Sequence, residues 1–408
     1  MTFFDELEIR TADQRASDLE KLLPALLLHA RDNTTAYKNI LKEFDLKKFS
    51  SLNSLAELPI TRKSLISDAQ GKISPFGGYT PGTASSFEHI FQSPGPIYEP
   101  GRIANDWWRM GRFIHALGIG HNDIVQNCFS YHMTPAGMMF ENGARTVGAT
   151  VFPAGVGQSE LQARAAADIG VTAYAGTPDF LKTLLDKADD LKLDLSRLTK
   201  AAVGGGALFP SLRQEYIDRG ITCLQSYGTA DLGNIAYEST AMDGMIVDEG
   251  VIVEIVTPGS GIPVPEGEVG EVIVTTLNKD YPLIRFATGD MSAVQPGQSP
   301  CGRTNMRIKG WLGRADQTTK IKGMFVRPEQ VADFVEVNED IIKARVVADR
   351  VGEKDKMTIM IETLNEDSSR YESSITSVFK LRGEVIICSP GTLPKDGFVI
   401  EDKRSYQS

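Results

Sequence analysis

Four stretches of this chain group residue types that can do chemistry together. Val203-Gly204-Gly205-Gly206-Ala207 follows an apolar run, and three positions without side chains let a backbone come close to a planar ring or a phosphate. A plain glycine turn would read the same. Ser226-Tyr227-Gly228-Thr229-Ala230-Asp231 sets an aromatic face, hydroxyls and a carboxylate within six residues. That set can stack on a ring, touch a phosphate and ligate magnesium, although a loop with a capping Asp is the plain alternative. In Tyr281-Pro282-Leu283-Ile284-Arg285-Phe286-Ala287-Thr288-Gly289-Asp290 a carboxylate follows a Thr-Gly turn and can accept hydrogen bonds from a diol. Gly313-Arg314-Ala315-Asp316 offers a guanidinium fork for ribose or phosphate oxygens; taken alone, a surface ion pair explains Arg314 as well.

These stretches need a scaffold. Apolar positions at helical spacing from Asp13 to Leu41 predict a helical N-terminal segment. From Ile90 onward, short apolar runs (Ile124–Phe129, Thr150–Phe152, Val171–Tyr174) alternate with helix-like stretches (Asn105–Leu117, Ser159–Ile169, Pro178–Ala188), the pattern of layered α/β units. Between Met245 and Val294 the texture turns β-rich, with runs Val251–Val256 and Glu271–Thr276 broken by Pro and Gly. After Gly313 a helix at Pro328–Val335 and strands at Lys343–Ala348, Lys356–Glu362 and Glu384–Cys388 predict a small α+β domain. The expected fold is α/β: a large N-terminal domain, 1–313, of layered α/β subdomains plus a β-rich subdomain, then a small mobile α+β domain, 314–408.

With 408 residues, 41% hydrophobic and 24% charged, the chain is globular and too long for one ordinary core. A net charge of −10 without a basic block gives no pull toward nucleic acid. The apolar run Leu22–Leu28 is too short to span a membrane and contains Pro24, and Met1–Arg10 lacks the basic start and apolar core of a secretory signal. A cytoplasmic protein is the expectation. Cys128, Cys223, Cys301 and Cys388 are too scattered for a zinc site or a disulfide framework and read as isolated thiols.

In this order and spacing the four stretches resemble the adenylate-forming superfamily of acyl-CoA synthetases, peptide-synthetase adenylation domains and luciferases. Tyr227-Gly228-Thr229-Ala230-Asp231 is similar to its YGxxE magnesium and nucleotide motif, with Asp for Glu. The resemblance implies ribose binding by Asp290 and Arg314, an interdomain hinge at Asp316, and CoA-phosphate contacts near Lys322 and Gly323. Finer features resemble the phenylacetate-CoA ligase branch: Phe3-Phe4-Asp5-Glu6, Leu58-Pro59-Ile60-Thr61-Arg62-Lys63, Gln126-Asn127-Cys128-Phe129-Ser130-Tyr131-His132, Gly148-Ala149-Thr150-Val151-Phe152-Pro153 and Pro390-Gly391-Thr392-Leu393-Pro394. By this likeness Tyr131 and His132 line the acid pocket, and Ser93, Gly95, Gly204, Gly205 and Gly206 join the nucleotide site. ATP/AMP, Mg2+ and CoA are the implied cofactors, a small, aromatic or otherwise compact carboxylic acid is the implied substrate, and a homodimer is the family expectation.

Two segments depart from the family. Gln92-Ser93-Pro94-Gly95-Pro96-Ile97-Tyr98-Glu99-Pro100 stands where SSGTTGKP is usual. Pro94 and Pro96 have no N–H, and Glu99 falls near the lysine's place, so the loop is a poor polyphosphate cradle. In the C-terminal segment Phe398 aligns with the adenylating lysine, and a small gap would bring Lys395 or Lys403 there instead. The leading expectation is a ligase that forms an acyl-adenylate and transfers the acyl group to CoA. The alternatives are a catalytically impaired binder of nucleotide, acyl-adenylate or CoA, and acyl transfer to a carrier-protein thiol or an amine.

Overall fold

The computed structural model describes residues 2–73, 75–94, 96–206, 208–322, 324–351 and 354–404. Gly95 and Gly323, two of the expected site residues, lie outside them. The chain divides into two compact units. The first comprises Met1–Val253, Val274–Phe286 and Gln295–Gly310; the second comprises Glu254–Ile273, Ala287–Val294 and Trp311–Ser408.

The first unit is built on parallel strands in the order Thr150–Pro153, Ile124–Asn127, Ala173–Gly176, Lys200–Val203 and Thr222–Thr229. Helices Ala136–Thr146, Ser159–Ile169, Pro178–Asp190 and Pro210–Asp218 connect them, as parallel pairing requires. Proline opens the last two helices, where its missing N–H costs nothing. Ala173–Gly176 is buried along its whole length, which is why it reads as an unbroken apolar run. Beyond Thr222–Thr229 the sheet turns antiparallel through Gly233–Glu238, Met245–Val247 and Arg307–Ile308. Phe113, Phe129, Phe140, Leu224 and Tyr237 belong to one core of this unit, and Tyr174, Leu181, Leu184 and Tyr216 to another.

The N-terminal segment is helical as expected, with Pro24 inside helix Ala12–Asn33, a break at Thr34 and a short helix Thr35–Ile40. One expectation fails: only Gly111–Ala116 of the stretch Asn105–Leu117 is helical. Asp106 and Arg109 take positive φ, 51° and 62°, which an α-helix cannot accommodate. Among the described residues no helix is long and apolar enough to cross a membrane.

The second unit has a four-stranded sheet in the order Glu384–Cys388, Lys354–Glu362, Lys343–Val351, Ile400–Asp402. Helices Pro328–Glu336 and Glu372–Phe379 supply Phe334, Ile375 and Phe379 to its core, against Val346, Ile359 and Ile361. A hairpin, Thr319–Ile321 with Met324–Val326, lies between the 313–316 motif and this sheet in the chain. The unit therefore includes residues 254–273 and 287–294, which the sequence assigns to the large domain.

Candidate active site

In the first unit the expected residues gather at the carboxyl ends of the parallel strands, where open α/β sheets bind ligands. Gly204 leaves strand Lys200–Val203 so close to the next strand that a Cβ would lie 3.0 Å from Ser226 Oγ; Gly205 follows at φ 67°. Gly206 completes the turn. Tyr227 is buried, and a register shift between Tyr227 and Gly228 kinks the strand. Gly228 is required there, because a Cβ would sit 2.5 Å from Gly233 O. The Thr229 hydroxyl accepts from Leu232 N at 3.1 Å and tightens the turn that follows.

That turn delivers Asp231 to a buried position, not to a surface cap. Lys63, first residue of helix Lys63–Gln70, donates from Nζ to Asp231 Oδ2 at 2.9 Å, across 168 positions of sequence. Glu99, 1% exposed, shares this neighbourhood. Strands His89–Ser93 and Ile97–Gly101 close a hairpin with Ser93 opposite Ile97, and Ser93 Oγ donates to Glu99 Oε1. Burial first, and then the charge of Asp231, push the Glu99 carboxyl up to about 7, while the Ser93 hydrogen bond and Lys63 pull it down. Among the described residues Glu99 Oε2 and Asp231 Oδ1 have no hydrogen-bond partner. A free, buried carboxylate oxygen on Asp231 fits a magnesium ligand.

The same unit contains a cleft of about 190 Å³ whose lining includes His89, Trp108, Tyr131, Met138 and Arg145. The Tyr131 hydroxyl accepts from Asn127 Nδ2 at 2.8 Å, and burial raises its phenol above the usual range. His132 is exposed and is not in the lining.

In the second unit Asp290 and Arg314 face each other as an isolated antiparallel bridge, with Arg314 Nη1 2.8 Å from Asp290 Oδ1. Gly289, at φ 72°, makes this approach feasible, since a Cβ would meet Arg314 Nη2 at 2.6 Å. Trp311 Nε1 donates to the same Asp290 oxygen at 3.1 Å. The guanidinium is 59% exposed and the carboxylate 13%, so the pair is open on the arginine side. Asp316 is exposed and accepts from Thr318 N at 3.1 Å. Lys322, at φ 48°, is exposed and donates its N–H to Asp355. Lys395 is exposed and Lys403 lies 3.7 Å from Glu401. Gln317 holds the segment between them, donating to Gly397 O at 2.8 Å and accepting from Val399 N and Ile400 N. Gly397 is so close to Met291 that a Cβ would lie 3.1 Å from its sulfur.

A family model described as AMP-binding enzyme matches residues 104–278. A phenylacetate-coenzyme A ligase of Escherichia coli is 26% identical over 430 residues, covering 97% of this chain and 95% of that one. A protein of the same name from Thermus thermophilus is 26% identical over 380 residues, covering 89% and 84%. Over most of its length the chain is thus similar to phenylacetate-coenzyme A ligases, with its central part matching the AMP-binding enzyme model. The fold agrees: an open conformation of 2-hydroxyisobutyryl-CoA ligase with 2-HIB-AMP and CoA aligns at a TM-score of 0.73 and 20% identity, over 95% of this chain and 91% of that one.

Four side chains at these sites make contacts that no local motif signals. Lys63 was visible only as the end of Leu58–Lys63, and nothing in that motif names Asp231 as its partner. Glu99 stood out as a departure from the phosphate loop but not as a buried acid beside Asp231. Trp311 and Gln317 flank the 313–316 motif, and their contacts are made with residues 21 and 80–83 positions away.

Proposed function

We propose that this chain is an acid–thiol ligase that activates a small, aromatic or compact carboxylic acid with ATP and transfers the acyl group to CoA. What carries the reading is the end-to-end similarity to phenylacetate-coenzyme A ligases. In the first half-reaction a carboxylate oxygen attacks the α-phosphorus and pyrophosphate leaves. In the second, the CoA sulfur, having lost its proton, attacks the acyl carbon and AMP leaves. Asp231 would hold magnesium, which when bound would supply the positive charge that offsets charge developing on the phosphates. Asp290 accepts from the ribose diol and Arg314 donates to ribose oxygens; both already have the opposite partner in place, which holds them oriented. Tyr131 and the adjoining cleft take the acid, and a volume of about 190 Å³ suits a compact one. Lys395 or Lys403 supplies a cation during adenylation, and Lys322 meets the CoA phosphates.

The functional division is 1–313 and 314–408, with Asp316 as the pivot. ATP and CoA as co-substrates fit a cytoplasmic setting, and the working assembly is a homodimer, which sedimentation can test. A second reading rests on the phosphate-loop hairpin: with prolines in its turn and a buried acid in place of the lysine, the protein would bind adenylate or CoA without cleaving ATP. The deciding experiment follows AMP release with aryl acids and CoA, together with mass-spectrometric detection of the thioester. Acid-dependent AMP and acyl-CoA support the ligase. Binding of AMP and CoA with neither product supports the second reading.

A further inference from the structure

Glu99 Oε2, Asp231 Oδ1 and Tyr281 Oη are three of the five buried side-chain oxygens in the first unit that have no partner among the described residues. Their residues are 1%, 5% and 2% exposed. They belong to one neighbourhood: helix Lys63–Gln70, whose Lys63 holds Asp231, is hydrogen-bonded through Gln70 to the backbone of Tyr98 beside Glu99, and Arg102, just past the same strand, pairs with Asp280 beside Tyr281 at 2.6 Å. Buried polar atoms are normally satisfied, and three together is a deficit that calls for a ligand. In each carboxylate the other oxygen is already engaged: Glu99 Oε1 accepts from Ser93, and Asp231 Oδ2 pairs with Lys63 at 2.9 Å. Each acid is thus fixed by a supporting group and offers one free oxygen, the arrangement that orients first-sphere metal ligands.

We infer that Glu99 and Asp231 form a seat for a divalent cation that fills without nucleotide, with the Tyr281 hydroxyl bonding to one of the ion's waters. Magnesium keeps several waters and commonly uses only one or two protein carboxylates, so two ligands suffice. With both carboxylates ionised, as ligation requires, they and Lys63 sum to −1, and a divalent ion brings the cluster to +1, a charge suited to receiving phosphate. A hairpin without the usual lysine then presents positive charge from a bound ion. The seat shares Asp231 with the ligase reading but requires no turnover.

The test is manganese binding by the chelator-stripped full chain without nucleotide, read by electron paramagnetic resonance and by calorimetry, with magnesium as competitor. The expected result is one site per chain, displaced by magnesium. Glu99→Gln should weaken it by more than about tenfold, the scale on which even an outer partner matters. Tyr281→Phe, which removes only the water contact, should weaken it less and provides a second variant if the first fails to fold. Glu160→Gln, on an exposed helix face, should bind as the parent does. Absence of a stoichiometric site, or equal affinity in Glu99→Gln and Tyr281→Phe, would overturn the seat. Intact manganese binding with no pyrophosphate exchange would uphold the seat and remove only the ligase reading.

Discussion

Replacing Glu99 by Gln should make the metal-free protein more stable at alkaline pH and leave it nearly unchanged in acid. The Glu99 carboxyl is pushed up to about 7 from an ordinary 4.5, chiefly by burial and then by the charge of Asp231. The folded state therefore holds this proton more tightly than the unfolded chain does. Stability linked to the proton is complete below pH 4.5 and is lost as pH rises through about 7. The gap corresponds to about 3 kcal/mol above pH 7, and because the site is buried, solvent screening reduces it little. Gln cannot ionise and can still accept from Ser93, so it removes the cost while preserving the hairpin contact. The assay is urea unfolding in chelator at pH 4.5 and pH 8, in a Trp311→Phe background so that Trp107 and Trp108 report on the first unit. The difference between Glu99→Gln and its parent should grow toward alkaline pH by about 3 kcal/mol. Curves that stay parallel at both pH values would refute the reasoning, because they would mean Glu99 ionises as freely in the folded protein as in the unfolded chain.

Asp290→Ala should weaken AMP and ATP alike, by about 1.5–3 kcal/mol, since the ribose diol common to both loses a charged acceptor; calorimetry on the folded variant checks it, and unchanged AMP affinity would remove the assignment. Tyr131→Ala and His132→Ala should each alter which acids are accepted and leave AMP affinity nearly intact. An acid panel for each variant decides this, and the exposure of His132 makes the smaller change the expected one there. Asp316→Pro, by restricting φ at the pivot, should impair thioester formation more than adenylation. Equal half-reaction rates in variant and parent would count against a moving C-terminal domain.

The legible parts of this protein are those whose meaning is local. Ser159–Ile169 and Glu384–Cys388 have the expected bounds because one short stretch carries the whole periodicity. The glycine run, Tyr227–Asp231, Asp290 and Arg314 could be singled out because each motif is contiguous and their order is itself informative. The Lys63–Asp231 pair could not, because 168 residues separate two side chains that meet only after the sheet has formed. Glu99 shows a different limit: the sequence reveals an acid in a lysine's place, but the rise of its carboxyl depends on burial and on the charge of Asp231, neither of which is local. The stretch Asn105–Leu117 has helical spacing, yet Asp106 and Arg109 turn left-handed. There Asp106 accepts from Gly111 N at 2.8 Å, and Arg109 donates to backbone oxygens of Leu232 and Asn234. Tertiary hydrogen bonds override the local pattern at that point.

The central claim is that this chain activates a carboxylic acid on ATP, and acid-dependent exchange of labelled pyrophosphate into ATP tests it most directly, because the assay requires neither CoA nor any assumption about the acceptor. Across a panel of aryl and short-chain acids with magnesium, exchange is expected with at least one compact acid and is lost in Asp231→Ala. No exchange with any acid, from a protein that still binds AMP, would contradict it.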